Sequence, residues 1–319
     1  MGIRVGVSAC LLGRRVRYDG QHKRDAFVVD ELGPYVEWVP VCPELEVGMG
    51  VPREPVRLVG ARGAERVRML GRTSGEDWTV RMERFANARA KALEDEELAG
   101  FVLKSKSPSC GMARVKVYDD AAPDRTPAPA GIGLFAAALM RRFPNLPVEE
   151  EGRLCDARLR ASFIERLFAY ARLQGLWRGR WTLASLIQFH TVHKMALLAH
   201  STDGYRALGR LVGEGKTLPR AELRARYEVA FMKTLARPTT PGRHANVLMH
   251  LLGHLSDHLD PGDRQELLAA IDGHRTGRLP LVVPQTLLAH HARRLGTRYL
   301  LEQTYLHPDP AEVQLRNRV

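Results

Sequence analysis

Three of the four cysteines occupy the same place in a recurring local pattern. Cys10 and Cys42 each end an apolar run, and Cys110 lies in a turn of Ser, Pro and Gly that follows the apolar residues 101–103. Such runs are typical of buried strands, and proline and glycine favour a turn after them. Because the carboxyl ends of parallel strands converge on one crevice, where ligands usually bind, we predict that the three thiols share one site.

Three interpretations of these thiols are open. They are inert buried cysteines, ligands of a metal or an iron–sulfur cluster, or a group that includes a thiol nucleophile. Their wide separation in the sequence does not match the paired CxxC pattern of a zinc ribbon. A set of three is informative for a cubane cluster, because the fourth iron stays open and acts as a Lewis acid toward an exogenous sulfur or oxygen ligand. Cys155 follows an acidic run, away from any strand end, and is expected to be structural.

Strands alternate with helices in the first half of the chain. We predict strands at 2–9, 36–42, 101–105, 115–118 and 146–150. We predict helices at 78–97, with Gly100 as its stop, and at 133–143, and loops at 48–55 and at the proline-containing stretch 119–130. This alternation predicts an α/β domain over residues 1–155, with three layers around a mostly parallel sheet.

The second half has helical periodicity and predicts an all-α domain over residues 156–319. The predicted helices cover 154–173, 183–199, 205–212, 220–235, 245–255, 263–271 and 286–295.

The basic excess of the chain is concentrated in this second half. The net charge is +12; residues 1–150 hold 23 basic and 21 acidic residues, whereas residues 151–319 hold 25 and 15. Such an asymmetry favours a polyanionic partner, with nucleic acid first and an anionic membrane second; a solvated, arginine-rich surface is the alternative. The first residues lack the features of a signal peptide, and no apolar stretch approaches the length of a membrane span, so we expect a soluble cytoplasmic protein that does not bind a membrane.

Four blocks of the first half resemble the thiouracil desulfidase family. They are Ser8-Ala9-Cys10-Leu11-Leu12-Gly13, Arg17-Tyr18-Asp19-Gly20, Cys42-Pro43-Glu44 and Lys106-Ser107-Pro108-Ser109-Cys110-Gly111. The second half resembles a helical domain of unknown function that is often fused behind this family, through segments at 189–194, 199–201, 242–250 and 299–303. The fused form is similar to bacterial desulfidases that convert 4-thiouridine in tRNA to uridine.

The resemblance implies a 4Fe–4S cluster held by Cys10, Cys42 and Cys110, with an open fourth iron that binds the thiocarbonyl sulfur. Glu44 is then the group that manages the proton of the attacking water, first as base and then as acid. On the residues alone, Glu44 is equally a surface carboxylate or a helix cap. Ser107 and Ser109 flank the third ligand, where they either hydrogen-bond the base or the reacting substrate, or simply stabilise the turn.

The helical domain is expected to bind tRNA, as the resemblance implies. The predicted contacts are basic and amide side chains suited to phosphates and exposed base edges: Lys194, Arg237, Arg243, His244 and Asn246. His190 and Met249 are expected to be core residues of amphipathic helices.

A competing metal site is conceivable at His250, His254 and His258, whose i, i+4, i+8 spacing puts them on one face of a helix. No HExxH pattern accompanies them, and the leucines between them favour packing. Three functions therefore remain: a desulfidase of tRNA, a desulfidase of free thiouracil or thiouridine nucleosides, and a non-catalytic RNA-binding protein with a structural metal site.

Overall fold

The computed structural model describes residues 2–60, 67–119, 121–122 and 126–317. The chain forms two compact units, Met1–Ala171 with Leu315–Val319, and Arg172–Gln314. The division falls inside a helix at Ala157–Trp177, downstream of the boundary at residue 155 that we expected from the change in periodicity.

Two sheets form the framework of the first unit. The strands are β1 Ile3–Ser8, β2 Val36–Val41, β3 Val56–Val59, β4 Arg68–Gly71, β5 Gly100–Leu103, β6 Val115–Tyr118, β7 Ala128–Gly131 and β8 Val148–Glu150. Sheet A has the order β2-β1-β5-β8, and all of its pairs are parallel. Sheet B has the order β4-β3-β6-β7, with antiparallel pairs at both ends. The predicted mostly parallel sheet corresponds to sheet A.

Sheet B contains what the sequence patterns missed. β3 and β4 were not predicted, because each has four residues and includes an arginine that interrupts the apolar run. The predicted loop at 119–130 is wrong at its end, where β7 begins at Ala128. β7 tolerates Pro129 because it lies at the edge of the sheet, where a missing N–H does not interrupt a ladder. Residue 120 and residues 123–125 of that stretch lie outside the described residues.

Helices connect the strands of the first unit. They are α1 Pro43–Glu46, α2 Thr79–Ala92, α3 Leu134–Arg142 and the start of α4 Ala157–Trp177. Shorter helical turns, of 3₁₀ or π type, are present at Ala9–Leu12, Phe27–Leu32, Gly33–Tyr35 and Leu93–Glu96.

Two neighbouring residues of β5 show that helices cover both faces of sheet A. A Cβ at Gly100 would lie 2.6 Å from Leu167 Cδ1, so this face packs on α4. The ring of Phe101 lies 5.9 Å from that of Phe135 in α3, on the opposite face, since successive strand residues point to opposite sides. The predicted three-layer α/β architecture is confirmed.

Gly100 therefore has a packing role, and its predicted role as a helix stop is wrong. The helical segment ends instead at Glu97, which adopts a left-handed conformation with φ 46°.

The second unit is helical, as predicted. Beyond α4, its helices are α5 Leu183–His200, α6 Thr202–Gly213, α7 Arg220–Leu235, α8 Pro241–Gly253, α9 Pro261–Arg275, α10 Val282–Arg294 and α11 Arg298–Leu301, and α12 Pro310–Asn317 follows at the end of the described chain. The predicted spans agree with α4 to α10 to within a few residues. Short 3₁₀ turns follow α6 at Glu214–Lys216 and α8 at Ser256–His258.

The prediction that His250, His254 and His258 share one face of a helix is wrong. α8 ends at Gly253, so His254 lies at its C-terminal end, and His258 lies in the 3₁₀ turn beyond it. The His254 ring packs against Tyr299 at 4.9 Å. Met249, expected in the core, is 46% exposed. The neighbouring apolar positions 247, 248, 251 and 252 fill the core instead, since they lie on the opposite side of the helix.

The helices in the part of the chain that the structure describes are not suited to crossing a membrane. None of the helices there combines the length and the apolar character that crossing a bilayer requires.

Gly133 offers a test of how tightly the Cys110 turn is built. A Cβ at Gly133 would lie 2.4 Å from the Ser109 carbonyl oxygen and 2.8 Å from Cys110 N, which are backbone atoms that cannot rotate away. We expect Gly133→Ala to lower the free energy of unfolding by about 1–3 kcal/mol, through this overpacking. The measurement is urea unfolding. Gly242→Ala is the matched control, because Gly242 likewise lies at the start of a helix but has no atom within 4 Å of its Cβ position. Equal stabilities of the two variants would contradict the overpacking.

Candidate active site

The three predicted ligand cysteines line one cavity of about 330 Å³ at the carboxyl edge of sheet A. The pairing of the strands explains why. Ser8 at the end of β1 pairs with Val41 at the end of β2, and Val7 pairs with Val102 of β5. All three strands therefore end at the same edge. Cys155 is exposed and does not line the cavity.

Each cysteine is fixed by a different local structure. Cys10 lies in the 3₁₀ turn Ala9–Leu12, which ends at Gly13 with a φ of 87° that a side chain would strain. Cys42 is the N-cap of α1, and its backbone N–H donates to Glu46 Oε1 at 2.8 Å. Cys110 is held by Ser107 Oγ, which accepts from the backbone N–H of Cys110 at 3.2 Å.

The three thiols are free and line the same cavity, and burial dominates their ionisation. Burial raises the pKa of Cys10 to about 11, and the proximity of Cys42 adds to this effect. Burial likewise raises the pKa of Cys42, and that of Cys110 well above its usual value. Such thiols become thiolates only when a cationic group binds among them.

The donor set fits an iron–sulfur cluster better than a single metal ion. Soft thiolates are the usual ligands of such clusters, and each thiolate of a cubane binds a different iron, so the ligands lie farther apart than around one ion. Within residues 2–60, 67–119, 121–122 and 126–317, no set of three or more His, Cys, Asp or Glu side chains has the spacing to hold a single metal ion.

Glu44 lies on the wall of the same cavity, joined to both predicted serines. Ser109 Oγ donates to Glu44 Oε1 at 2.5 Å, and Ser107 Oγ lies 3.4 Å from the same oxygen. The two hydroxyls are 3.1 Å apart. Ser109 is fully buried. The three cysteines, Glu44 and the two serines come from three separate stretches of sequence.

Arg53 is a functional residue that the sequence reasoning missed. Its Nη2 forms an ion pair with Glu44 Oε2, and the two side chains are only 6% and 16% exposed. Nη1 donates to the carbonyl oxygens of Gly50 at 2.8 Å and Val16 at 3.2 Å. The sequence feature that could have indicated this contact is the loop rich in glycine and proline between Glu44 and Arg53. In the structure, Gly48 and Gly50 have positive φ, and the loop turns the chain back on itself.

Further cations line the cavity. Lys104 forms an ion pair with Glu151, and Ser105 supports the same carboxylate through its N–H and its hydroxyl, each at 2.7 Å. Arg17 and Tyr18, from the block Arg17-Tyr18-Asp19-Gly20, contribute to the wall, as does Lys23. A polar, electron-rich ligand would therefore meet donors and positive charge on several sides.

In the helical unit, two of the predicted RNA contacts share one region. Arg237 Nη1 donates to Ser201 Oγ at 3.0 Å, and Arg243 Nη1 donates to the carbonyl oxygens of His200 at 3.1 Å and Pro238 at 2.9 Å. Both arginines are exposed.

The other three contacts differ in their surroundings. Asn246 is exposed, three residues after Arg243 on the same helix, and Lys194 lines a separate cavity. His244 is only 9% exposed, and its Nδ1 lies 2.9 Å from Tyr305 Oη. This burial leaves His244 little surface for a nucleic acid.

Comparison with known proteins connects this geometry to a family. Residues 5–151 match the family profile of 2-thiouracil desulfurase. The protein YbbK of Bacillus subtilis strain 168, which is uncharacterised, is 38% identical over 112 residues, or 33% of this chain and 71% of YbbK. The chain belongs to the 2-thiouracil desulfurase family. Residues 194–310 match a second family, a protein of unknown function (DUF1722).

Two further proteins are similar to this chain, each over about half of its length. The uncharacterised protein YbgA of Escherichia coli strain K12 is 32% identical over 157 residues, which are 49% of this chain and 93% of YbgA. A solved structure of the [4Fe-4S]-dependent thiouracil desulfidase TudS is 32% identical, covers 48% of this chain and 93% of TudS, and has a TM-score of 0.38.

The buried ion pair predicts a specific pattern of stability. Arg53→Met leaves the Glu44 carboxylate buried without its counter-charge, so we expect the free energy of unfolding to fall by about 3–5 kcal/mol. Glu44→Gln combined with Arg53→Met should recover part of this loss, because the amide carries no charge. Arg24→Met, which breaks an exposed pair with Asp30, should have little effect. Chemical denaturation of these three variants and the wild type checks this, and an Arg53→Met as stable as Arg24→Met would contradict it.

Proposed function

We propose that the protein is a 4Fe–4S-dependent desulfidase that converts 4-thiouridine in tRNA to uridine with release of hydrosulfide. The observation that carries the proposal is the convergence of Cys10, Cys42 and Cys110 with the Glu44 carboxylate on one cavity, in a member of the 2-thiouracil desulfurase family. The reaction exchanges C=S for C=O with one water, so no electrons are gained or lost.

The cysteines would hold the cluster, and the other polar side chains would manage water and protons. When bound, the cluster supplies a thiophilic Lewis acid that polarises the C=S bond. Glu44 is the general base for the attacking water, since its Oε1 faces the cavity among two hydroxyls. Arg53 holds Oε2 and so positions the carboxylate, and it is a positioning residue because it acts through Glu44.

The two serines have different roles in this proposal. Ser109 is fully buried and donates to Glu44, so it orients the base. Ser107 is partly exposed, and its oxygen accepts the N–H groups of Ser109 and Cys110 while its own proton is directed to the Ser109–Glu44 pair. Ser107 is therefore the hydroxyl nearer to solvent, suited to contact the substrate or the water.

We propose tRNA as the substrate because of the positive charge of the helical unit. Residues 151–319 carry 25 basic and 15 acidic residues. Arg237, Arg243 and Asn246 form an exposed basic and amide cluster, and among the described residues neither arginine is paired with a carboxylate. Free guanidinium charge and amide groups suit phosphates and unstacked bases. Cytoplasmic localisation would follow from such a substrate.

A second candidate function is the desulfidation of free thiouracil. The family description names this base, and a cavity of about 330 Å³ is at the small end of the range for ligand pockets. A free base would leave the basic excess of the second half without a purpose, which is why we rank it second.

The cluster ligands are tested without any activity measurement. After anaerobic reconstitution, we expect about four irons per chain and broad visible absorption in the wild type. Most of the iron and most of the visible absorption should be lost in each of the variants Cys10→Ser, Cys42→Ser and Cys110→Ser, because a thiolate ligand is removed. Cys155→Ser is the control and should keep both, since its thiol is outside the cavity. A Cys110→Ser variant that retains the full iron content and spectrum would sink the proposed ligand set.

The catalytic roles are tested with tRNA that carries 4-thiouridine. We expect Glu44→Gln to lower the rate of thiouridine loss and hydrosulfide release by about 10²–10⁴-fold while the cluster spectrum is kept. Glu76→Gln, which changes an exposed carboxylate, is the control. If free 4-thiouracil reacts but tRNA does not, the second candidate function is correct. If neither reacts with the cluster loaded, the desulfidase proposal fails.

The salt dependence of tRNA binding tests the basic cluster. Each phosphate contact contributes about one to the slope of log K against log salt, so Arg243→Met should weaken binding and reduce that slope by about one. Arg275→Met removes the same charge from an arginine paired with Asp272, outside the cluster, and serves as the control. Identical slopes for the two variants would count against this surface.

A further inference from the structure

The helical unit contains a second cavity, of about 430 Å³, which the proposed reaction does not use. It lies between α5 and α6 and extends to the 3₁₀ turn after α6, so all of its walls belong to this unit. The volume is within the range of pockets that bind small molecules and is much larger than a single water site. We call it the His190 cavity.

One buried nitrogen in this cavity has no protein partner. His190 is 4% exposed, and its Nε2 makes no hydrogen bond to any described residue. Gly209 of α6 lies close to this nitrogen, since a Cβ at Gly209 would lie 4.0 Å from Nε2. Glycine inside a helix costs about 1 kcal/mol relative to alanine, and here it leaves more room beside the His190 ring than a side chain would. A buried polar atom without a partner indicates a ligand or a water at that position.

The hydrogen-bond network decides which proton this nitrogen carries. His190 Nδ1 lies 3.2 Å from Tyr227 Oη. Burial lowers the pKa of His190 to about 4, and it raises the pKa of Tyr227, so both side chains are neutral near pH 7. A buried phenol proton needs an acceptor, and Nδ1 is the one within reach, so the hydroxyl donates to it. The remaining ring proton is therefore on Nε2, which is a buried donor of a side chain that lines the cavity.

Three cations line the same cavity. Lys194 follows His190 by one turn on the same face of α5, and Arg206 of α6 and Lys216 of the following turn complete the group. No carboxylate is present among the described residues that line the cavity. An N–H donor with three uncompensated positive charges recognises an anion with several acceptor oxygens, such as a phosphate.

The rest of the wall is apolar and suits a ring. Leu183 and Ile187 of α5 and Val212 of α6 line the cavity, and Ile187 is 45% exposed in spite of its size. The ring of Tyr205 is also part of the wall. Inorganic phosphate alone would leave this apolar portion in contact with water, whereas a nucleoside attached to the phosphate would cover it.

We propose that the His190 cavity binds a nucleoside phosphate, with the phosphate at His190 and Lys194 and the nucleoside against the apolar wall. The phosphate belongs either to a free mononucleotide or to a nucleotide of an RNA, and only the second source rests on the proposed function. The site is distinct from the cysteine cavity in its residues and in its chemistry, since it offers donors and cations without a thiol or a base.

Calorimetric titration of the full-length chain with uridine 5′-monophosphate, inorganic phosphate and uridine tests the proposal. The monophosphate should bind, phosphate should bind more weakly, and uridine should bind weakest. Lys194→Met should weaken the binding of the monophosphate by about tenfold or more, because a charge-assisted hydrogen bond is lost. Lys233→Met, an exposed lysine of α7 outside the cavity, is the matched control and should bind like the wild type.

A pair of substitutions at His190 isolates the Nε2 donor. The amide of His190→Asn reaches the place of Nδ1 and keeps the contact with Tyr227, but it removes the donor at Nε2, so binding should weaken. His190→Gln extends an amide N–H toward the place of Nε2 and should bind closer to the wild type. Circular dichroism checks that both variants are folded, and Lys194→Met tests the site independently if His190→Asn is not.

The source of the phosphate is resolved with tRNA that lacks 4-thiouridine. One outcome is that Lys194→Met differs from Lys233→Met in its affinity for this tRNA but not for the monophosphate. In that case the phosphate site stands, and its ligand is part of an RNA. If neither ligand distinguishes them, and His190→Asn binds like the wild type, the proposal is overturned. Because no probe is desulfurated, loss of desulfidase activity with intact binding here would contradict the proposed function alone.

Discussion

The parallel pairing of β1 with β2 and β5 is the constraint on which the cysteine site depends. Parallel strands all end at the same edge of a sheet, and each of these three strands continues into a segment that carries one cysteine. Buried thiols resist ionisation, as the raised pKa values of Cys10, Cys42 and Cys110 show. The edge of sheet A thus places three buried thiols together, and such thiols ionise readily only beside a cationic group.

A carboxylate in the same cavity requires compensation of a different kind. Glu44 is largely removed from water, and burying a charge is costly unless it is paired and hydrogen-bonded. Arg53 supplies the charge, while Ser107 and Ser109 supply hydroxyl groups. The same solution recurs at Lys104 and Glu151 on another part of the wall. These contacts compensate and position the Glu44 carboxylate before any ligand binds, as the role of base that we propose for it requires.

Two histidines one turn apart in the helical unit have different surroundings. His193 stacks on Phe189 at 4.1 Å and meets Phe231 edge-on at 5.5 Å, and burial lowers its pKa to about 3. It is an ordinary core residue. His190, one turn earlier, has the same degree of burial but an unpartnered nitrogen beside a glycine. Helical periodicity cannot separate the two, because both lie on the buried face of α5.

The sequence by itself determined the strands of sheet A, most of the helices and the meeting of three cysteines at one edge. Apolar runs of four to six residues specify β1, β2 and β5 locally, and a cysteine at the end of each predicts a shared edge through the geometry of parallel sheets. The motifs around Cys10, Cys42 and Cys110 carried the family resemblance, which the match of residues 5–151 to the family supports. Helices α4 to α10 were likewise predictable, since the 3.6-residue period is a local property.

Only the tertiary structure decided which side chains meet. Arg53 contacts Glu44 because a loop with positive φ at Gly48 and Gly50 folds back, and neither its path nor its partner is encoded by a periodic pattern. The burial of His244, the exposure of Met249 and the end of α8 at Gly253 depend on how helices pack against one another. The open space at Gly209 is likewise a property of two helices together. Local sequence fixes an element and its apolar face, whereas contacts between distant residues arise only when the chain is packed.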